Sequence, residues 1–108
     1  MGDPLKQLYE VVVQRKNNPQ EGSYTCYLFE QGLNKILKKC GEECTEVVIA
    51  AKDEIESEIE NEICDLLYHL TVLMVEKEIP LENIYDILKN RSKKIGNLKK
   101  MHETDHCS

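Results

Sequence analysis

Two short clusters of carboxylates mark this chain: Glu42-Glu43-x-x-Glu46 and Glu62-x-x-Asp65. Residues three or four apart on a helix share a face. Glu43 and Glu46 therefore point one way from one helix, and Glu62 and Asp65 one way from another. If the two helices pair antiparallel, four acidic groups converge, and converging carboxylates repel unless a cation lies among them. Hard oxygen donors select magnesium, manganese or calcium. A di-iron centre would want Glu-x-x-His on these helices; that spacing occurs at Glu103 and His106, in a stretch without periodicity. An EF-hand loop with its central glycine is absent. Helical carboxylates suit magnesium, which keeps several waters and meets its partner's phosphate oxygens. A phosphorylated substrate is the ligand this chemistry favours, with metal and carboxylates screening a polyphosphate and orienting an attacking water.

The flanking charges fit that reading. At helical steps the first stripe reads Lys35, Lys39, Glu43, Glu46, Ala50, with Glu42 beside it; the second reads Glu58, Glu62, Asp65, His69, Val72. The sign is segregated, basic then acidic, so Lys35 and Lys39 are placed to hold outer phosphates. The competing reading is a solvated face in which Lys39 and Glu43 form an ordinary i,i+4 pair. His69 lies one turn past Asp65 and is expected to pack or hydrogen-bond rather than to catalyse. Tyr68 is expected to be structural.

The elements that must position these groups follow from apolar periodicity. Asp3-Pro4 starts a helix that runs to about Lys16, with Leu5, Leu8 and Val12 on one face and Asn17-Asn18-Pro19 as its stop. Ser23 or Thr25 caps a short helix carrying Tyr27, Leu28 and Phe29, and Gly32 breaks the chain. A long helix from about Leu33 to Lys52 has Ile36, Leu37, Cys40, Cys44, Val47, Val48 and Ala51 as its apolar face. A second, from about Glu54 to Glu78, shows Ile55, Ile59, Ile63, Leu66, Leu67, Leu70, Leu73 and Met74. Pro80 opens a last helix with Leu81, Ile84, Ile87 and Leu88 on its buried side, fading near Ile95-Gly96. The expected fold is all-α, a bundle of four or five helices around an antiparallel hairpin. Residues 1–96 form one domain and 97–108 a flexible tail. The apolar strip of the hairpin exceeds what one small chain covers, which predicts a homodimer.

Composition narrows the partners. A formal net charge of −6 argues against bulk binding to nucleic acid or an anionic membrane, and no apolar run reaches the length of a membrane span. Five cysteines (Cys26, Cys40, Cys44, Cys64, Cys107) without a CxxC pair, and no secretory signal, read as reduced thiols in cytoplasm. Packing is the expected role of Cys40 and Cys44, in preference to zinc.

The acidic pattern resembles the EExxE…ExxD signature of the MazG-type all-α nucleoside triphosphate pyrophosphohydrolases. Gly22-Ser23-Tyr24-Thr25, Lys35-Ile36-Leu37-Lys38-Lys39-x-Gly41-Glu42-Glu43, Glu46-Val47-Val48-Ile49-Ala50-Ala51-Lys52 and Asp65-Leu66-Leu67-Tyr68-His69-Leu70 are similar, more narrowly, to the phosphoribosyl-ATP pyrophosphohydrolases of histidine biosynthesis. The likeness covers roughly residues 4–95. It implies a MazG-like bundle and Mg²⁺-dependent hydrolysis of phosphoribosyl-ATP to phosphoribosyl-AMP and pyrophosphate. It implies Glu43, Glu46, Glu62 and Asp65 as metal ligands, and Glu42 as a ligand or a base that orients water. Lys35 and Lys39 then contact phosphates, the Gly22, Ser23, Tyr24, Thr25 loop lies near the substrate, and Arg15-Lys16 and Arg91–Lys94 are further candidates for the phosphoribosyl end. Free N–H groups where a loop of small residues enters a helix also suit phosphate, although an ordinary cap needs the same residues. Two alternatives are a house-cleaning pyrophosphohydrolase of other nucleoside triphosphates and a non-catalytic helical interaction module.

Overall fold

The computed structural model describes residues 2–94; the expected tail, 97–108, with His102, His106 and Cys107, lies outside the described residues. Within them are five α-helices and no strand. They are α1 (Pro4–Asn17), α2 (Tyr24–Gln31), α3 (Leu33–Asp53), α4 (Glu56–Glu76) and α5 (Leu81–Lys93). Local chemistry sets most boundaries. The Asp3 carboxylate caps α1 by accepting from the Leu5 N–H at 3.0 Å, with Pro4 in the first turn. Ser23 rather than Thr25 caps α2, its hydroxyl accepting from the Cys26 N–H at 3.2 Å; the Thr25 hydroxyl instead bonds the Tyr68 hydroxyl.

Gly32 both ends α2 and begins α3. Its N–H donates to the Leu28 carbonyl and its own carbonyl accepts from the Ile36 N–H, at φ 94° and ψ −177°, a backbone region essentially confined to glycine. The α3–α4 turn passes through Glu54 in the left-handed region, φ 61°, whose N–H donates to the carbonyls of Ala50 and Ala51 at 3.1 and 3.2 Å. That conformation cannot continue a helix, so α4 starts at Glu56 and not at Glu54.

The core sits at one end of the α3–α4 hairpin. Val12, Leu28, Ile36, Val72 and Val75 are buried together, one or two from each of α1 to α4, with Leu8, Phe29, Cys40, Tyr68 and Leu73 packed around them. α1 and α2 cover this end alone. The inward face of the hairpin differs from the apolar stripes expected from the sequence. On α4 the buried residues are His69, Thr71, Val72 and Val75, while Ile63 and Leu67 are exposed. On α3 they are Ile36 and Ala50, while Leu37, Val48 and Ile49 are exposed and Cys44 lies on the surface. The mixed stripes carrying the acidic residues thus turn toward the hairpin interior, and the more apolar stripes turn outward. Likewise α5 is anchored by Leu81, 2% exposed, whereas Ile87 and Leu88 stand in solvent at 48% and 55%. Polar ties hold its start: the Tyr9 hydroxyl donates to the Ile79 carbonyl at 2.9 Å, and the Tyr85 hydroxyl donates to the Asp3 carboxylate.

Candidate active site

Antiparallel pairing brings the middle of α3 against the first half of α4, and carboxylates from both meet there. Glu43, Glu62 and Asp65 each offer an oxygen, all within 4.8 Å of one another. Glu43 and Glu62 are half-buried and Asp65 is exposed. Partial burial, first, and then the charge of Glu46, a hydrogen bond with Asp65 and the charges of Asp65 and Glu43 raise the Glu62 carboxyl above its usual range. Like charges held this close favour a proton on one of them; a cation relieves the same strain by attraction. The all-oxygen donor set, drawn from two rigid helices, fits a hard divalent ion. Glu46 lies outside the tight triad but close enough for its charge to act on Glu62. Three of the four expected ligands are therefore brought together, with the fourth alongside.

Lys39 stands one turn before Glu43. Its Nζ is 3.2 Å from Glu42 Oε1 and 3.8 Å from Glu43 Oε2. The nearer bond holds the Glu42 carboxyl below its usual range and the Lys39 ammonium above its own. Glu42 is not one of the three clustered carboxylates, and its side chain is 46% exposed against 13% for Glu43. Lys35 lies over the Tyr27 ring, 5.9 Å from its centroid.

The loop before α2 supplies the next wall. Gly22 takes φ 83°, Ser23 is engaged in its cap, and Thr25 is tied to Tyr68. Tyr24 reaches inward from this loop. Its ring stacks on Tyr27 and Tyr68 at 6.1 and 6.2 Å between centroids. Its hydroxyl lies 3.0 Å from His69 Nε2. Burial raises the Tyr24 phenol above its ordinary value, and the charges of Lys39 and Glu43 act on it in opposite directions. The Arg15 carbonyl accepts from the Cys26 thiol at 3.4 Å, which sets the end of α1 against the start of α2. Arg91 and Lys93 occupy the last turn of α5, where bases favour a helix C-terminus without a ligand.

The partner of Tyr24, His69, packs and hydrogen-bonds as expected from its sequence position, but the sequence does not name its partners. His69 is 6% exposed, and its Nδ1 lies 2.8 Å from the Asp65 carbonyl oxygen. The available signal was its place on the acidic stripe, one turn beyond Asp65. Two surface depressions, one between α1 and α5 lined by Tyr9, Val13 and Lys16, the other around the α2 loop, contain none of the clustered carboxylates.

The family model for phosphoribosyl-ATP pyrophosphohydrolase matches residues 5–92. The chain is 54% identical over 97 residues to the phosphoribosyl-ATP pyrophosphatase of Clostridium novyi (strain NT), covering 90% of this chain and 88% of that protein. It is 60% identical over 92 residues to the phosphoribosyl-ATP pyrophosphatase of Listeria innocua serovar 6a, covering 85% and 88%. It is also 60% identical over 90 residues to the histidine biosynthesis bifunctional protein HisIE of Caldanaerobacter subterraneus subsp. tengcongensis, covering 83% of this chain and 44% of that longer protein.

Proposed function

The chain belongs to the phosphoribosyl-ATP pyrophosphohydrolase family, and from that premise we propose how its own residues carry out the hydrolysis of phosphoribosyl-ATP to phosphoribosyl-AMP and pyrophosphate, a step of histidine biosynthesis. The observation that carries the proposal is the meeting of Glu43, Glu62 and Asp65 oxygens within 4.8 Å across the α3–α4 hairpin. These three, with Glu46 alongside, would hold Mg²⁺. When bound, that ion neutralises polyphosphate charge and polarises the anhydride.

The remaining work falls to side chains. Lys39 is held in reach of the cluster by Glu42 and Glu43, and a phosphate arriving there competes with both carboxylates for its ammonium. Glu42, displaced from Lys39, is then free to take the proton of an attacking water. Water adds its oxygen at one phosphorus of the α–β anhydride, that bond breaks, and the leaving oxygen departs with pyrophosphate or phosphoribosyl-AMP. Lys35 and the Gly22–Thr25 loop border the same face and suit the outer groups of the substrate. Pyrophosphate release from phosphoribosyl-ATP, beside a panel of ordinary nucleoside triphosphates, tests the assignment. Release confined to phosphoribosyl-ATP is expected; comparable release from the panel would move the chain to the house-cleaning reading.

The proposal extends to assembly and location. The outward face of the hairpin (Val48 at 64%, Ile49 at 50%, Ile63 at 42% and Leu67 at 43% exposed) and the free face of α5 fit a second copy of the chain, since contiguous exposed apolar surface marks an interface. Sedimentation equilibrium at micromolar concentration should give a dimer; an active monomer would refute it. Among the described residues no helix is long and apolar enough to cross a membrane, and the four described cysteines are free, which suits the reducing cytoplasm.

A further inference from the structure

His69 makes two directional contacts that together fix where its protons lie. A carbonyl oxygen only accepts, so at 2.8 Å from the Asp65 carbonyl the Nδ1 atom carries hydrogen. In the neutral ring Nε2 then holds a lone pair. The Tyr24 hydroxyl, 3.0 Å away, must donate to it. Its only proton is thereby committed inward, and the phenol oxygen meets the rest of the site with lone pairs alone. The ring packing leaves little choice of geometry: Tyr24 and Tyr68 both meet the imidazole edge-on, with centroids 5.8 and 4.9 Å away. His69 is itself buried, and Tyr24 is the only one of the pair that reaches the surface.

We infer that His69 is a positioning residue that turns Tyr24 into a hydrogen-bond acceptor at the carboxylate site, so that Tyr24 orients the Lys39 ammonium toward phosphate instead of donating a hydrogen bond to phosphate itself. Lys39 and Glu43 are the charged groups that act most on the phenol. An acceptor there attracts the first and opposes the second. Without substrate, Lys39 Nζ stays with Glu42 and Glu43, 3.2 and 3.8 Å away; when phosphate competes with those carboxylates, the phenol lone pairs favour the released ammonium on the loop side. Tyr24 arrives from α2, and its bond to His69 and its stacking on Tyr68 tie the start of that helix to α4 of the carboxylate-bearing hairpin. This inference rests on the metal-site reading of the proposed function.

The test has a spectroscopic arm and a kinetic one. Histidine ¹⁵N NMR of the full chain at about pH 8, with His69→Gln assigning the resonance, should show the Nδ1–H tautomer at His69. Its Nε2 shift should move in Tyr24→Phe, where the hydroxyl donor is gone. An Nε2–H tautomer, or an Nε2 shift indifferent to Tyr24→Phe, overturns the inference whether or not the enzyme turns over. In steady-state kinetics with phosphoribosyl-ATP, Tyr24→Phe should raise KM about tenfold with kcat nearly kept, the size expected of one lost hydrogen bond acting through ground-state binding. His69→Phe should match it, and the double variant should be no worse than either single one. His69→Gln, whose amide oxygen can accept from Tyr24, should recover most of the loss. A fall in kcat at constant KM would report a smaller folded fraction and count against the inference, as would additive losses. If His69→Phe does not fold, Tyr24→Phe and the NMR arm still decide. An inactive wild-type chain would instead refute the proposed function and leave the tautomer measurement intact.

Discussion

One substitution made at two positions should move stability in opposite directions. At Gly32 the backbone sits at φ 94° and ψ −177°, and a Cβ built there meets nothing within 4 Å. The cost of Gly32→Ala is therefore conformational and not steric. Holding a non-glycine residue in that region costs about 1–3 kcal/mol. The lower entropy of the unfolded alanine chain returns about 0.4–1 kcal/mol. The net expectation is a loss of about 1–2 kcal/mol, or a fall in Tm of roughly 4–15 °C for a domain of this size. Gly41 lies inside α3, also with nothing within 4 Å of an added Cβ, and its φ is not among the positive values. Alanine there should stabilise by up to about 1 kcal/mol. Urea unfolding of the two variants, with unchanged slopes, reads both numbers. A Gly32→Ala protein as stable as wild type would show that the α2–α3 junction does not need glycine. A clear loss at Gly41→Ala would show that α3 is not regular helix where it approaches the carboxylates.

Asp65→Asn removes one of the three oxygens that meet across the hairpin and should leave less than about one-hundredth of the turnover with helical circular dichroism unchanged; activity near wild type would remove Asp65 from the metal site. Lys39→Ala should lower kcat/KM while stability changes by no more than about 0.5 kcal/mol, as at other surface positions; an unchanged kcat/KM would return Lys39 to a plain ion pair with Glu42 and Glu43. The Tyr85–Asp3 tie predicts a pH dependence. The Tyr85 hydrogen bond holds the Asp3 carboxyl below its usual range and pushes Tyr85 up to about 12. The Asp3 contribution is thus complete above its ordinary value and lost as pH falls through the lowered one, and the Tyr85 contribution is complete below its ordinary value and lost as pH rises through about 12. Urea midpoints between about pH 2 and 6 should fall less steeply in Tyr85→Phe than in wild type; parallel curves would mean the tie is absent in solution.

The helices were legible because their signals are local. Asp3-Pro4, Ser23 and Gly32 act within one turn, and all three ends lie where the residues imply. The carboxylate pairs were legible for the same reason, since spacing on a helix decides which groups share a face. What spacing does not decide is which face turns inward. Leu67 and Ile63 form a stronger apolar stripe than His69, Thr71 and Val72, yet α4 buries the second set. Their partners Leu28, Ile36 and Val12 come from three other helices, and no window on α4 records them. The break near Asp53-Glu54 was legible, but the left-handed conformation of Glu54 was not, because a non-glycine residue in that region leaves no compositional mark. Tyr24 was marked by its loop and His69 by its place beyond Asp65, but they are forty-five residues apart and only the fold pairs them.

The most direct test of the metal-dependent site is the magnesium dependence of pyrophosphate release from phosphoribosyl-ATP, measured with wild type and Asp65→Asn side by side. Release should be absent in EDTA, rise to saturation as Mg²⁺ is added to wild type, and stay near background in Asp65→Asn over the same range. Full release in EDTA, or equal magnesium curves for the two proteins, would contradict the assignment of Glu43, Glu62 and Asp65 as the ligands around which this hydrolysis is built.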